Sequence, residues 1–464
     1  MKKSKLQNNS ITKNVVVTLL CAVLLKGVSI ILSPITTRFL LPSEYAMVSN
    51  YNIWLSVLGV IIGFEVQGAI NNALIDFKGK ERQFTSNCLV VGFLVSLLLM
   101  FPVVFLREEI ALLLDLKPML VVVMIPHGFS SFCVSFISNR YIAERKPLLN
   151  FVLCFTVSVL GALLSFALLI GAGYGYVGYV IGSSVVCISV GLVLFMINLI
   201  KGRSFFDWQI WKYALMLGLP LVLHNLISIV LSSSDKLMTK HMLGDHEMGI
   251  YAFASSICSI LTIIWSAINS GFVPFYYINL EKKDYNAIRK SVHNVNIFFT
   301  LISIGFIMVF KEVFCFVYPN TYNESIFIVG FLVLSLYITS MYSYSVNFEF
   351  FHKKTGWIAC GTILSGVCNI VLNYVLISTV GISGAAIATC ISYLVLFIGH
   401  ECIARFVIKS FPIRTFSYIP CFLMMLLSVG IFYLTLDLWY LRWCIAVVVG
   451  LVLVLRIVKM KKLF

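Results

Sequence analysis

The chain has 464 residues, of which 60% are hydrophobic and 11% are charged. Soluble domains carry about 25% charged residues, so this composition excludes an ordinary water-soluble globular protein. The net charge of +15 would by itself suit nucleic-acid binding, but the positions of the basic residues, given below, exclude that function.

Fourteen apolar segments follow one another along the chain, each close to the roughly 20 residues that a helix needs to cross a membrane. The first follows a basic stretch that resembles the start of a signal peptide, but it lacks a small-residue cleavage site, so we expect it to be retained. The sequence therefore predicts an all-α polytopic membrane protein. The predicted transmembrane helices are residues 14–37, 46–70, 86–106, 118–138, 148–170, 176–199, 213–234, 249–273, 292–310, 325–347, 357–378, 384–404, 417–436 and 443–459.

The basic residues predict the orientation of these helices. Most of the 34 Lys and Arg residues fall in every second loop, beginning with the N-terminal segment. Because cytoplasmic loops are enriched in Lys and Arg, both termini are predicted to be cytoplasmic. The positive net charge is therefore mainly a topology signal, and nucleic acid is not an expected partner.

Short sequence matches between the two halves predict an internal repeat. Six helices per half preserve the orientation, so the repeat would form two parallel six-helix lobes around a central cavity, as in many transporters. The predicted lobes are residues 1–200 and 201–406, and two appended helices occupy residues 407–464. The matching segments are 37–46 with 239–249, Glu144-Arg145-Lys146 with His352-Lys353-Lys354, and Gly175–Gly178 with Gly381–Gly384.

The first two predicted helices carry charged residues near the membrane interior. Lys26 lies near the middle of the first helix, and Ser33 follows on the same face. A central Lys costs about 2.5–3.5 kcal/mol on insertion scales. It indicates a hydrated cavity facing an anionic substrate, or else a Lys that snorkels to the interface or pairs with a structural carboxylate. Glu65 in the second helix could neutralise Lys26, take part in proton coupling, or be purely structural.

Three later helices carry polar side chains at helical spacing. Small polar residues over several turns favour the lining of an aqueous cavity, although hydrogen bonds between helices give the same pattern. The tyrosines suit contact with sugar rings, and are equally typical of an aromatic belt or ordinary packing. The residues are His224, Asn225, Ser228 and Asp235 in the seventh helix, Ser259 and Asn269 in the eighth, and Tyr337 and Tyr344 in the tenth.

No enzyme motif is present in the sequence. The patterns GxxxxGK[ST], GxSxG and HExxH are all missing. The thirteen cysteines have no zinc or disulfide spacing, so neither a metal nor a cofactor is predicted. The chain is therefore predicted not to be an enzyme, and an ion gradient, the membrane potential or product removal would drive its activity.

Three short motifs carry a resemblance to a known family. They lie in residues 34–45, in residues 218–251 beginning with Gly218-Leu219-Pro220, and in residues 381–386. With them the chain resembles the multidrug/oligosaccharidyl-lipid/polysaccharide exporter superfamily, and within it the bacterial polysaccharide-biosynthesis, O-antigen flippase (Wzx-type) family. Ala46 stands where Gly usually follows the Glu-Tyr pair, and Lys236 stands where Arg is common.

The resemblance implies transport of an undecaprenyl-diphosphate-linked oligosaccharide, such as an O-antigen unit of lipopolysaccharide. The lipid would move from the inner to the outer leaflet of the bacterial cytoplasmic membrane by alternating access, with its prenyl tail in membrane lipid. Lys26 is the first candidate for the diphosphate, with Arg38 and Lys236 nearer the outer mouth. A polysaccharide polymerase and a chain-length regulator are the partners suggested.

Two other functions stay open. A multidrug extruder of the same superfamily, coupled to Na⁺ or H⁺, would need intramembrane acids such as Glu65 and Asp235, although Lys26 argues against it. A membrane oligosaccharide polymerase or ligase would need a large outer loop, and the predicted outer loops are short.

Overall fold

The protein is described from a computed structural model, which covers residues 27, 28 and 30–460. Within this part of the chain every regular element is helical. Twelve of the described helices are long and apolar enough to cross a membrane, and Ile419–Leu434 is a shorter apolar helix of 16 residues. These thirteen coincide with the predicted spans from the second to the fourteenth, which confirms the all-α polytopic membrane fold. The first predicted span lies mostly outside the described residues.

The helices are numbered here in chain order. Short 3₁₀ turns follow α2 and precede α15, and π-helical turns extend α7 to Gly171 and α14 to Ile408. The helices are α1 (30–39), α2 (Pro42–Gly63), α3 (Ile70–Asp76), α4 (Glu81–Phe105), α5 (Arg107–Leu114), α6 (Pro118–Ala143), α7 (Pro147–Phe166), α8 (Gly175–Gly202), α9 (Trp208–Leu243), α10 (Asp245–Glu281), α11 (Tyr285–Val317), α12 (Ser325–Phe351), α13 (Thr355–Val380), α14 (Ile382–Cys402), α15 (Ile419–Leu434) and α16 (Trp439–Met460).

The chain forms two compact units, which divide between Val230 and Leu231. This boundary lies inside α9, whereas the sequence placed the lobe boundary between residues 200 and 201. We call the parts before and after it unit 1 and unit 2. The division into two six-helix lobes with two appended helices stays a prediction.

Helix α6 forms the centre of unit 1, where it packs against α2, α4, α7 and α8. Its buried face is rich in aromatic residues, and Phe129 meets Phe93 of α4 and Phe195 of α8 edge-on. Burial of one such side chain stabilises the fold by about 1.5–3 kcal/mol. This aromatic core holds the helices that carry the polar residues described below.

Helix α12 has the corresponding place in unit 2, where it packs against α10, α13, α14 and α15. Helices α15 and α16 pack mainly on α11. Two basic residues fasten them there, because Arg442 pairs with Glu312 of α11, and Lys311 Nζ donates to the Leu436 carbonyl at 2.6 Å. A buried Arg is stable only with such partners.

The turns after α6 and α12 have the same backbone geometry. Arg145 and Lys353 both have a φ of 58°, and the following N–H groups donate to Tyr141 and Glu349 carbonyls at 2.8 and 3.0 Å. The same geometry follows α10, where Lys283 has a φ of 58° and the Asp284 N–H donates to the Asn279 carbonyl at 2.9 Å, so it is a common helix ending and the internal repeat stays a prediction. The turn after α6 also carries Glu144. Burial alone would raise the pKa of this carboxyl group, but hydrogen bonds from Lys146 and Arg140 outweigh burial, so the pKa is lowered.

Candidate functional site

The second membrane helix of unit 1 is broken at its C-terminal end. Helix α2 ends at Gly63, and Phe64 and Glu65 adopt left-handed backbone with φ of 41° and 51°. A 3₁₀ turn over Val66–Ala69 then leads into α3. Such backbone costs about 1–3 kcal/mol per residue and is typical of functional sites. The sequence predicted one continuous helix over residues 46–70, and this prediction was wrong between residues 64 and 69. Hydropathy could not show the turn, because most of its residues are apolar.

Glycine in α9 explains how the break is accommodated. Gly218 lies so close to the Phe64 carbonyl oxygen that a Cβ at this position would collide with it. Pro220 follows two residues later inside the same helix. The sequence singled out Gly218-Leu219-Pro220 only for its family resemblance, and the structure gives Gly218 a physical role as the residue that packs against the break.

A chain of polar side chains surrounds the break. Gln67 Nε2 donates to Glu65 Oε2 at 2.9 Å, and Gln67 Oε1 accepts from Ser135 Oγ at 2.9 Å and from Asn139 Nδ2 at 3.2 Å. Ser135 and Asn139 lie one turn apart on α6. The Glu65 residue is only 7% exposed. A buried carboxylate is costly without such partners, so the network keeps it in the membrane-spanning unit.

A cavity of about 220 Å³ opens beside this carboxylate. Irregular backbone at membrane depth is tolerated where it is buried in protein or lines a water-filled cavity, and a water molecule takes up about 30 Å³ of liquid. The site therefore offers an acid and several hydroxyl groups to water or to a small polar ligand. Its lining residues are Leu55, Ser56, Gly59, Val60, Glu65, Gln67, Ser131, Phe132 and Ser135.

A second polar cluster of unit 1 escaped the sequence reasoning. His127 Nδ1 lies 3.0 Å from Tyr51 Oη and 2.9 Å from Ser184 Oγ, and all three residues are buried. They join α2, α6 and α8. The signal was present as a single histidine inside an apolar span, but a lone histidine has no pattern that separates packing from function.

In unit 2, Asp235 lies at the centre of a buried polar cluster. It accepts from Tyr251 Oη at 2.6 Å, from the Lys236 N–H at 2.8 Å and from Thr389 Oγ1 at 3.4 Å. The residue is 6% exposed. Three donors stabilise a carboxyl group in apolar surroundings, so this acid is the best supported of the titratable residues that the sequence singled out in this unit.

Helix α13 extends the polar surroundings of this part of α9. Ser234 donates to Asn369 Oδ1 at 2.8 Å, and Asn373 Nδ2 donates to the same oxygen at 2.9 Å. Among the described residues, no group of three or more His, Cys, Asp or Glu side chains lies close enough to bind a metal ion.

The structure distributes the other predicted site residues over both units. Lys26 lies outside the described residues. Ser33, Asn225, Ser228, Lys236 and Asn269 are half-buried, and Arg38, His224 and Ser259 are exposed. The Ser33, Ser228 and Ser259 hydroxyls donate to carbonyls of their own helices at 2.8, 2.9 and 2.6 Å.

The two predicted sugar-binding tyrosines lie inside unit 2. Tyr337 and Tyr344 are 2% and 0% exposed. Tyr337 Oη lies 2.9 Å from Thr300 Oγ1, and Tyr344 Oη donates to Asn296 Oδ1 at 2.9 Å. A direct contact of either ring with a substrate would therefore require repacking of α12, and their role stays a prediction.

Comparison with known proteins gives a family match over more than half of the chain. The model of the polysaccharide biosynthesis protein family matches residues 11–276, and the MatE model matches residues 220–379. The Lsg locus putative protein 1 of Haemophilus influenzae is 23% identical over 159 residues, which are 33% of this chain and 39% of that protein. An uncharacterized membrane protein of the same species is 26% identical over 158 residues, which are 33% of this chain and 38% of that protein. The chain thus spans under half the length of these relatives.

Solved structures with a similar fold are transport proteins. The lipid II flippase MurJ, in an inward closed conformation, has a TM-score of 0.73 and 16% identity, over 99% of this chain and 100% of that one. An inward-facing multidrug resistance MATE family transporter has a TM-score of 0.65 and 15% identity, over 85% and 99%. At these identities the likeness shows the shared fold.

Proposed function

The chain belongs to the polysaccharide biosynthesis protein family, and on that premise we propose that it is a flippase for a diphosphate-linked oligosaccharide on a long prenyl carrier. The substrate would move from the inner to the outer leaflet of the bacterial cytoplasmic membrane by alternating access. Both chain ends would lie in the cytoplasm, as the basic loops predict. The observation that carries the proposal is the family match together with a polar cavity beside a broken membrane helix.

The chemistry of such a substrate agrees with the polar groups of the chain. A diphosphate cannot enter hydrocarbon without a hydrated or charged partner, because moving an isolated charge out of water is costly. We propose that Lys26 supplies that partner, and that Arg38 and Lys236 act nearer the outer side. The sugar would contact small polar and amide side chains. The proposed contacts are Ser33, Asn225, Ser228, Ser259 and Asn269, with Tyr337 and Tyr344 after repacking.

Three titratable residues are proposed to balance or couple charge. Glu65 faces the cavity of unit 1, Asp235 is held by three donors in unit 2, and His224 is exposed on α9. Such groups can exchange a proton or a cation during transport. A lipid-linked repeat unit would then pass to a polysaccharide polymerase and a chain-length regulator, for example in O-antigen and lipopolysaccharide synthesis.

A multidrug extruder is the second candidate function. The MatE match over residues 220–379 includes Asp235, and a cation exporter would use acidic groups such as Asp235 and Glu65. The two functions differ in the charge of the transported molecule. Lys26 would repel a cation and attract a diphosphate, which makes this residue the one that separates them.

The test uses the full chain in proteoliposomes with a fluorescent undecaprenyl-diphosphate-linked oligosaccharide. We expect the wild type to move the lipid between leaflets, as measured by protection from a membrane-impermeant quencher. Lys26→Ala should lose this activity because the diphosphate loses its counter-charge, and Lys26→Arg should keep part of it. Lys78→Ala, in an exposed loop, is the matched control.

Two results would contradict the proposal. Wild-type rates in Lys26→Ala would remove the diphosphate role of this residue. Export of an organic cation such as ethidium, with no movement of the lipid by the wild type, would replace the flippase with the extruder.

A further inference from the structure

A histidine and a glutamate form a fully buried pair in unit 2, outside the groups used so far. His400 Nδ1 of α14 lies 3.0 Å from both carboxylate oxygens of Glu349 on α12. Both side chains are 0% exposed. This geometry makes the Nδ1–H group the donor and the carboxylate the acceptor. The pair therefore joins two of the helices that pack most extensively within unit 2.

The second ring nitrogen is open. His400 Nε2 is buried and has no hydrogen-bond partner among the described residues. It faces Gly361 of α13, where a Cβ would lie 2.9 Å from this nitrogen. A side chain at residue 361 would therefore fill the space that the nitrogen faces. Most buried polar side-chain atoms are hydrogen-bonded, so an open nitrogen beside a carboxylate calls for an explanation.

The pair has two states that differ by one proton. With a neutral imidazole the buried pair carries the single negative charge of Glu349, and with a proton on Nε2 it becomes a neutral imidazolium–carboxylate pair. Histidine is the side chain whose charge ordinarily changes between pH 5 and 8. Because an uncompensated buried charge is costly, the two states must stabilise the packing of α12 and α14 to different degrees.

The neighbouring charges are already neutralised. Glu401, the next residue of α14, pairs with Arg405 and accepts from Ser345 Oγ at 2.8 Å. Gly361 brings no charge from α13. Glu349 is therefore the acid that acts directly on the imidazole. The remaining titratable groups of this network are Tyr342 on α12, whose ring lies 5.7 Å from that of His400, and Tyr276 on α10 and Tyr418 before α15, which interact with Glu401.

We propose that Glu349 and His400 form a proton-binding site through which the pH on one side of the membrane regulates the transport cycle. One proton passes from water onto His400 Nε2 and later returns to water, and no other bond changes. The pair lies at the ends of α12 and α14 that the basic loops predict to face the cytoplasm, so the proton would exchange on that side. The link to transport rests on the proposed function, whereas proton binding does not.

Proton binding can be measured without transport. Full-length protein labelled with ¹⁵N-histidine is placed in lipid nanodiscs, and the ring signals are followed from pH 5 to 9. The ring signal that is absent from the spectrum of His400→Gln is assigned to His400. In the wild type we expect this signal to change with pH as a proton binds to Nε2. In Glu349→Gln its midpoint should move to lower pH by about one unit or more, because the imidazolium has lost its carboxylate.

Two further variants keep this test independent of folding failure. Gly361→Ala retains both groups but fills the space at Nε2, and it should also shift the midpoint. His352→Gln is the matched control, since His352 lies near the same helix end and its Nδ1 contacts the Phe348 carbonyl at 2.9 Å. An unchanged His400 signal across the pH range, or the same midpoint in Glu349→Gln, overturns the site.

The coupling step is tested in the proteoliposome assay under an imposed pH gradient. We expect the wild-type rate to change about tenfold per pH unit at most, the limit for one proton, and His400→Gln to lose this dependence. Lipid movement that ignores the gradient in the wild type overturns the coupling while the proposed function stands. If the His400 signal changes with pH but the wild-type protein moves no lipid, the proton-binding site is supported and the proposed function is overturned.

Discussion

The second helix of each unit takes a different course. In unit 1 the chain over α2 and α3, residues 42–76, is broken at Phe64 and Glu65. In unit 2 the corresponding α10, Asp245–Glu281, runs for 37 residues without interruption, even across Pro274. The two elements therefore have similar lengths but different backbones, and the break is a feature of unit 1.

One side-chain contact is nevertheless shared. In unit 1 Asn139 of α6 donates to Gln67 at 3.2 Å, and in unit 2 Asn347 of α12 donates to Asn269 of α10 at 3.1 Å. The amide contact thus forms with either backbone, so it is not the reason for the break. What the break adds is the Glu65 carboxylate beside a cavity.

A second shared contact shows how the units differ in charge. Tyr51 of α2 lies 3.3 Å from Ser184 of α8, and Tyr251 of α10 lies 3.3 Å from Thr389 of α14. The third partner is the base His127 in unit 1 and the acid Asp235 in unit 2. The third partner therefore differs in its proton chemistry and in the helix that carries it, which is α6 in unit 1 and α9 in unit 2.

The largest expected effect on stability comes from a substitution that disturbs the break in unit 1. Gly218→Ala places a Cβ against the Phe64 carbonyl and should destabilise the protein by about 2–3 kcal/mol, the upper part of the range for overpacking. Gly271→Ala is the control in α10, where a Cβ meets no atom within 4 Å. Thermal unfolding in detergent measures both. Equal unfolding temperatures for the two variants would contradict the role given to Gly218.

The shared tyrosines give an intermediate effect that sharpens the charge difference. Tyr251→Phe removes a hydrogen bond to a carboxylate and should cost about 1.5–3 kcal/mol. Tyr51→Phe removes bonds to neutral partners and should cost about 0.5–1.5 kcal/mol. The same unfolding assay compares them. A larger loss for Tyr51→Phe would contradict the stronger hydrogen bond assigned to Tyr251 and Asp235.

The smallest effect on stability is expected for Glu65→Gln. This change replaces the carboxylate of unit 1 with an amide, so that only amides remain, as in the Asn347–Asn269 contact of unit 2. The amide can still bond with Gln67, so stability should change by less than about 1 kcal/mol. Transport should fall, because the cavity loses its charge. Glu281→Gln, the same change at the exposed end of α10, is the control in unit 2. Normal lipid movement by a stable Glu65→Gln protein would assign Glu65 a purely structural role.

The sequence predicted the membrane helices well because each is an apolar run of nearly constant length. It singled out Glu65 and Asp235, since an acid stands out in an apolar span. The break at Phe64 was hidden, because the residue that leaves room for it, Gly218, lies about 150 residues further along the chain. The burial of Tyr337 was equally hidden, since a helix face that lines a cavity and one that packs in a core have the same spacing.

The position of the unit boundary inside α9 has a consequence for synthesis. Membrane proteins are made from the N-terminus, and domains generally fold as units while the chain emerges. Unit 1 extends to Val230, so the helices before Gly202 are made before the glycine that packs against the α2 break exists. The cavity beside Glu65 can therefore reach its final shape only after the first half of α9 has been inserted. A nascent chain released at residue 207 would carry the cavity residues but lack Gly218 behind the break.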